Sequence, residues 1–148
     1  MTNVTDRVDA MERKLAGCVV LVVEDEYFIA ADTAEALRDA GAIVLGPVPS
    51  ADDAMRMIEE FKPSHAVLDL NLDGSGARFD IVRELKGQQV QSIILTGYDP
   101  SIVPRDLADT PCLQKPVIYN EVIEAVAVQP GRFPDPGAWG RGTEGPAD

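Results

Sequence analysis

The sequence is poor in the residues on which disulfide-rich and metal-binding proteins depend. Only two cysteines are present, Cys18 and Cys112, and each lies in an apolar run typical of a strand, so we expect reduced, buried thiols rather than a disulfide framework. The single histidine, His65, has no second histidine or nearby cysteine to complete a metal site. We therefore expect His65 to be a turn or strand-start residue.

Positive charge and long apolar runs are scarce as well. The chain has 13 lysines and arginines against 25 aspartates and glutamates, which gives a formal net charge of −12. This balance opposes binding to nucleic acids or to anionic membranes, because both are polyanions. No apolar run is long enough to span a bilayer, and residues 1–14 lack an apolar signal core. We expect a cytoplasmic protein whose partners are proteins or cations.

Strand-like and helix-like segments alternate along the chain, which has enough residues, 148, for one compact α/β domain. Parallel strands need helical crossovers of about this length, so the alternation predicts a parallel sheet with helices on both faces. Prolines 100, 104 and 111 predict that the fourth helix is short or irregular. Strands are expected at 18–23, 42–45, 66–72, 90–95 and 111–114, and helices at 27–40, from Ser50 to Pro63, 77–86 and 120–128.

Both ends differ in composition from the central residues 16–128. Residues 1–15 place Val4, Val8, Met11 and Leu15 at helical spacing, which predicts a short amphipathic extension. This helix could pack on the domain, mediate a homodimer or fray, and the sequence does not choose. Residues 129–148 are rich in proline and glycine, which is typical of a linker or tail. We hypothesise that Trp139 anchors this tail on the domain or on a neighbouring chain.

Five polar side chains follow the predicted strand ends, and they suggest phosphoryl chemistry. Glu24 and Asp25 end the first strand, Asp69 the third, Thr96 the fourth and Lys115 the fifth. Ligands of open α/β sheets bind at the carboxyl ends of the strands. Clustered carboxylates favour a hard cation such as Mg²⁺, and an ammonium beside a hydroxyl suits a phosphoryl group. Asp69 is then a candidate nucleophile.

The four strand ends also resemble the signature motifs of a known family, in the same order along the chain. The motifs are Leu21 to Glu26, Val67 to Leu72, Ile94 to Gly97, and Lys115-Pro116. The chain thus resembles a receiver domain of bacterial two-component response regulators. The resemblance implies a flavodoxin-like, doubly wound five-stranded sheet of order 2-1-3-4-5 and a cis Lys115-Pro116 bond.

The resemblance also implies roles for the candidate residues. Asp69 would accept a phosphoryl group from a histidine kinase or a phosphotransfer protein. Glu24, Asp25 and Asp69, with the Asn71 backbone carbonyl, would hold Mg²⁺, while Thr96 and Lys115 would bind the phosphoryl oxygens.

Two positions depart from the family pattern. Cys112 stands where the family normally has its switch aromatic, three residues before the lysine, and the proline-broken stretch 98–111 replaces the usual fourth helix. Thr96-Gly97-Tyr98-Asp99 is similar to single-domain regulators served by HWE-type histidine kinases. We hypothesise that Tyr98 reports phosphorylation or shields the acyl phosphate, the alternative being an ordinary loop tyrosine. A side chain at Gly97 is expected to crowd the approach to Asp69.

The expected function is a phosphorylation-controlled switch whose chemistry is limited to its own Asp69. The tail is too short and too poor in apolar residues to be an output domain, so we expect signalling through protein contacts with an unknown downstream partner. A phosphate sink for a shared kinase is a related alternative. A Mg²⁺-dependent aspartyl phosphatase is less favoured, because Asn71 stands where such enzymes usually have a second aspartate. A receiver used only for docking is disfavoured by the intact set of site residues.

Overall fold

The computed structural model describes residues 14–72 and 76–128. The predictions of an amphipathic helix before Lys14 and of an anchoring role for Trp139 lie outside these residues. Five strands are present: β1 Val19–Val23, β2 Ile43–Val48, β3 His65–Asp69, β4 Gln91–Thr96 and β5 Cys112–Gln114. Four α-helices alternate with them: α1 Tyr27–Asp39, α2 Ala51–Phe61, α3 Phe79–Gly87 and α4 Tyr119–Ala127.

The strands form one parallel sheet of order β2-β1-β3-β4-β5, as the sequence and its resemblance predicted. Each face of the sheet carries its own apolar cluster, because successive strand residues point to opposite faces. One cluster joins the strands to α2 and α3, and includes Leu21, Ile58, Leu68 and Leu85. The other joins them to α1 and α4, and includes Val22, Leu37, Val67 and Val122.

The edge strand β2 is longer than predicted. Gly46-Pro47 was expected to end it at residue 45, yet the strand runs on to Val48, and the pairing with β1 shifts between Leu21 and Val23. A proline is tolerated here because the outer side of an edge strand needs no N–H donor. Gly46 has a φ of +86°, and a Cβ there would lie 2.8 Å from the Val48 nitrogen, so this shift requires glycine.

The connection between β4 and β5 contains no α-helix, in agreement with the prediction of a short or irregular fourth helix. It consists of two 3₁₀ turns, Pro100–Ile102 and Arg105–Leu107. At the N-terminus of α2, the Ser50 side chain accepts a hydrogen bond from the Asp53 amide and so caps the helix. The Lys115-Pro116 bond is cis, as the family resemblance implied.

Two residues are more deeply buried than the sequence indicated. His65 is the first residue of β3, as expected, but it is fully buried, and its Nδ1 lies 2.8 Å from the Ser64 hydroxyl. Burial lowers the pKa of His65 to about 4. Leu15, which the sequence groups with the N-terminal extension, is also fully buried, in the cluster between α1 and α4.

Within the described ranges, no helix is both long and apolar enough to cross a bilayer.

Candidate phosphoryl-acceptor site

The parallel register brings the predicted site residues to one edge of the sheet. Val23 of β1 pairs with Leu68 of β3, so Glu24 and Asp69 follow side by side. Asp69 in turn pairs with Leu95 of β4, and Thr96 pairs with Gln114, the residue before Lys115. All five residues therefore lie where the sequence placed them, at the carboxyl ends of neighbouring strands.

The three acids and the lysine form a compact charged cluster. Oxygen atoms of Glu24, Asp25 and Asp69 all lie within 4.8 Å of one another. The Lys115 ammonium nitrogen lies 3.4 Å from Asp69 Oδ2 and 3.5 Å from Glu24 Oε1. Glu24 and Asp69 are buried, whereas Asp25 is exposed. Glu24 and Asp69 thus share one ammonium, and with Asp25 the three acids of this cluster outnumber its lysine.

The protein holds Glu24 in an environment that disfavours its ionised form. Burial raises the pKa of Glu24 to about 7, and the neighbouring Asp69 carboxylate adds to the increase. The Glu26 amide, which donates to Glu24 Oε2 at 3.2 Å, and the Lys115 charge act in the opposite direction but do not prevail. The acidic cluster is consequently short of positive charge.

The donor set fits a hard divalent cation. Mg²⁺ prefers carboxylate and carbonyl oxygens and keeps several of its waters, which a partly open cluster such as Glu24, Asp25 and Asp69 allows. A divalent cation would also offset the Asp69 carboxylate, which adds to the burial that raises the pKa of Glu24. The clustering of three acids supports a metal site more strongly than any one of them, since single exposed acids are common in proteins.

Asn71 and Tyr98 form a contact beside the acceptor that the sequence did not reveal. The Asn71 amide donates to Asp69 Oδ1 at 3.1 Å, and its side-chain nitrogen donates to the Tyr98 hydroxyl at 3.0 Å. Asn71 Oδ1 accepts from the Gly76 amide at 2.9 Å. The Tyr98 amide donates to Thr96 Oγ1 at 2.9 Å. Tyr98 is therefore tied through its side chain to Asn71, two residues after Asp69, and through its backbone to the site threonine.

Gly97 and Cys112 add less to the site than the sequence suggested. A Cβ at Gly97 would meet no heavy atom within 4 Å, so the position faces open space. A side chain at this position could therefore obstruct only a molecule that approaches Asp69 from outside. That effect remains a prediction. Cys112 is partly buried against the core cluster under α2 and α3, and burial raises the pKa of its thiol. Cys112 thus places a small thiol, and not an aromatic ring, at this position of β5.

An exposed aromatic pair adjoins the acidic loop, and its exposure was not predicted from the sequence. Tyr27 and Phe28, the first residues of α1, are 73% and 71% exposed, and their rings stack edge to face with centroids 5.2 Å apart. Ile118, just before α4, is also exposed. The sequence shows two adjacent aromatics directly after three acids, but it does not show that both would be exposed.

Comparisons with known proteins agree with this geometry. The family model described as "Response regulator receiver domain" matches residues 20–127. The transcriptional regulatory protein PdtaR of Mycobacterium tuberculosis is 27% identical over 118 residues, covering 77% of this chain and 57% of PdtaR. The chain thus spans a little over half the length of the curated relatives it matches.

Solved structures give the same fold. The response regulator PhyR from Brucella abortus superposes with a TM-score of 0.69 at 21% identity, covering 98% of this chain and 58% of PhyR. The BeF3-activated conformation of SdrG from Pseudomonas melonis superposes with a TM-score of 0.63 at 27% identity, covering 78% of this chain and 98% of SdrG.

Proposed function

The chain belongs to the family of response regulator receiver domains, and from this premise we propose that it is a phosphorylation-controlled switch with Asp69 as the phosphoryl acceptor. The observation that carries the proposal is the buried Asp69 carboxylate, with Lys115 3.4 Å from one oxygen and two further acids beside it. The donor is the phosphohistidine of a histidine kinase or phosphotransfer protein. The proposal includes a kinase of the HWE type, as the family resemblance suggested. It also includes a cytosolic location for the protein.

In the transfer step, an Asp69 carboxylate oxygen forms a bond to phosphorus as the bond from phosphorus to the donor's imidazole nitrogen breaks. The electron pair of the broken bond stays on that nitrogen, and because the other ring nitrogen of the phosphohistidine carries a proton, the leaving group is neutral imidazole. Glu24, Asp25, Asp69 and the Asn71 backbone carbonyl would hold Mg²⁺, which supplies positive charge against the phosphoryl oxygens. Lys115 and the Thr96 hydroxyl bind the remaining oxygens, so that the charge spread over the phosphoryl group is neutralised.

The surface beside the acceptor supports a protein donor rather than a small one. Tyr27 and Phe28 offer exposed aromatic area at the start of α1, next to the acidic loop. Exposed aromatic side chains are typical of protein interfaces. A kinase or phosphotransfer domain that covers this pair would bring its histidine to the edge where Asp69 lies. Tyr27→Ala with Phe28→Ala is expected to slow transfer from such a protein at least tenfold while leaving phosphorylation by a small donor unchanged.

We also propose that Tyr98 takes a role in the switch, in place of the aromatic that Cys112 replaces. Its hydroxyl contact with Asn71 and its backbone amide contact with Thr96 connect Tyr98 to two residues of the site. When Thr96 binds a phosphoryl oxygen, the Tyr98 backbone is affected directly, because its amide donates to Thr96 Oγ1. Shielding of the acyl phosphate from water by the ring is part of this proposal. An unknown downstream protein would then bind this surface with a different affinity.

The experiment that tests the proposed function is intact mass after incubation with Mg²⁺ and a small phosphodonor. A gain of one phosphoryl group is expected in the wild type and in the matched control Asp52→Asn, an exposed acid on α2. No gain is expected in Asp69→Asn or without metal. Labelling of Asp69→Asn to the wild-type level would refute the assignment of the acceptor. Multiple-turnover release of phosphate from small esters would favour the phosphatase alternative instead.

A further inference from the structure

The third acid of the loop after β1, Glu26, is used differently from its neighbours. Among the described residues, the acids whose oxygen atoms lie within 4.8 Å of one another are Glu24, Asp25 and Asp69. The Glu26 carboxylate instead accepts a hydrogen bond at Oε1 from the Ile29 amide, at 2.9 Å, and so caps the N-terminus of α1. The first amides of a helix have no acceptor within the helix, and a capping oxygen supplies one. Glu26 is therefore a helix cap beside the candidate metal site.

The backbone of Glu26 connects this cap to the site. Its amide donates to Glu24 Oε2 at 3.2 Å, and its carbonyl accepts from the Ala30 amide at 2.9 Å in the first turn of α1. The other oxygen of the Glu24 carboxylate, Oε1, lies 3.5 Å from the Lys115 ammonium nitrogen. Each oxygen of this buried carboxylate thus faces a positive or donating group, and one of these groups is the amide of the capping residue.

Side-chain packing contributes little to the first turn of α1. Tyr27 and Phe28, its first two residues, contact each other and are largely exposed, and the first buried residue of the helix is Ala30. Such a turn is held mainly by its backbone hydrogen bonds and its cap. Loss of a capping side chain shifts the equilibrium for opening a helix start by roughly two- to thirtyfold. The order of this turn therefore depends on the Glu26 carboxylate.

We propose that Glu26 is a positioning residue for the metal: by capping α1, its side chain holds its own amide against Glu24 and keeps that ligand in place. The inference rests on the proposed function, which takes Mg²⁺ as the ion held by Glu24 and Asp25. Without the cap, the backbone of residues 25–28 gains freedom, and the Glu24 carboxylate loses a fixed donor. Binding of Mg²⁺ must then also order the loop, which lowers the affinity. The oxygen that accepts from Ile29 matters here, and the charge of Glu26 does not.

The test is an NMR titration of the full chain with Mg²⁺, followed at the amides of Asp69 and Thr96. Exchange of the Ile29 amide with solvent is measured on the same samples before metal is added. Glu26→Ala removes the capping oxygen, and it is expected to weaken Mg²⁺ binding about fivefold and to speed exchange at Ile29 about threefold or more.

Two uncharged variants separate the cap from the charge. Glu26→Gln keeps an acceptor oxygen on a side chain of the same length, and Glu26→Ser supplies a preferred capping residue. Both are expected to stay within about twofold of the wild type in Mg²⁺ affinity and in exchange at Ile29, because each restores the cap. Glu35→Ala, which removes an exposed acid from the middle of α1, is the matched control and should bind Mg²⁺ as the wild type does.

The outcomes distinguish this inference from the function on which it rests. If Mg²⁺ shifts no amide signal of the wild type, the metal site fails, and the proposed function and the inference fail with it. If the wild type binds Mg²⁺, an unchanged affinity or an unchanged Ile29 exchange rate in Glu26→Ala overturns the inference alone. Equal losses of affinity in the alanine, glutamine and serine variants would also overturn it, because they would assign the effect to the charge of Glu26 or to direct ligation.

Discussion

Replacing Glu24 with glutamine should stabilise the metal-free protein. At pH 8 the wild-type protein must hold Glu24 ionised although its pKa is raised from 4.5 to about 7. A shift of this size corresponds to about 3 kcal/mol of folding free energy, at about 1.4 kcal/mol for each pKa unit. Glutamine keeps the shape without the charge. We therefore expect the variant to be more stable by about 3 kcal/mol, which raises the melting temperature by roughly 10 °C.

The pH dependence of this difference follows from the sign of the shift. Because the folded-state pKa of Glu24 lies above its unfolded value, the penalty is absent below about pH 4.5, grows between about pH 4.5 and 7, and is complete above pH 7. The stability gap between Glu24→Gln and the wild type should shrink accordingly to about 1 kcal/mol at pH 5.

Mg²⁺ should narrow this difference between the variant and the wild type. A ligand at 100 times its dissociation constant stabilises the folded state by about 2.7 kcal/mol, and the variant has lost one charged ligand, so it gains less. The assay is urea denaturation at pH 8 and pH 5, with and without Mg²⁺. Glu59→Gln, an exposed position on α2, is the control for removing one negative charge. A metal-free Glu24→Gln protein less stable than the wild type at pH 8 would refute this account of the site.

Three further predictions concern other parts of the molecule. Because the pKa of buried His65 falls to about 4, against 6.5 when unfolded, lowering the pH from 8 to 5 should remove about 2 kcal/mol of stability from the wild type that His65→Gln does not lose, as measured by urea denaturation. Tyr98→Phe removes only the hydroxyl bound by Asn71, and should shorten the lifetime of the phosphorylated form several-fold in a phosphate-release assay. Leu15→Ala should cost about 2–5 kcal/mol in thermal or urea unfolding, because the side chain is fully buried.

Each of these has a result that would contradict it. Equal pH dependence in the wild type and His65→Gln would show that the buried imidazole is protonated in the folded state. Tyr119→Phe is the control for Tyr98→Phe, and an unchanged lifetime in Tyr98→Phe would leave Tyr98 as an ordinary loop tyrosine. A loss below 1 kcal/mol in Leu15→Ala would mean that residues before 16 contribute little to the core.

The strand ends that build the site could be predicted because each is marked locally. A buried apolar run followed by an acid, as at Val23-Glu24 and Leu68-Asp69, needs no knowledge of distant residues. The parallel alternation then brings these ends together. The family resemblance added the strand order and the cis bond before Pro116, and the structure confirms both.

Features that depend on long-range packing could not be predicted. The bonds from Asn71 to Tyr98 and from Arg83 to Asp106 join residues 27 and 23 positions apart, and polar residues in loops give no sign of which partner they will meet. His65 was correctly placed at a strand start, but its complete burial follows from the helices that cover β3. The continuation of β2 through Pro47 was missed because a proline breaks a central strand and not the outer side of an edge strand.

The two edges of the sheet have a consequence for behaviour at high concentration. β2 carries Pro47 and a shifted register, and β5 is only three residues long. Neither strand presents a long, flat row of unpaired backbone groups with which a strand of another chain could pair. Edge-to-edge aggregation is thereby discouraged in the described part of the protein. Under the proposed function, a partner is therefore expected to recognise side chains, so that its binding could respond to phosphorylation of Asp69.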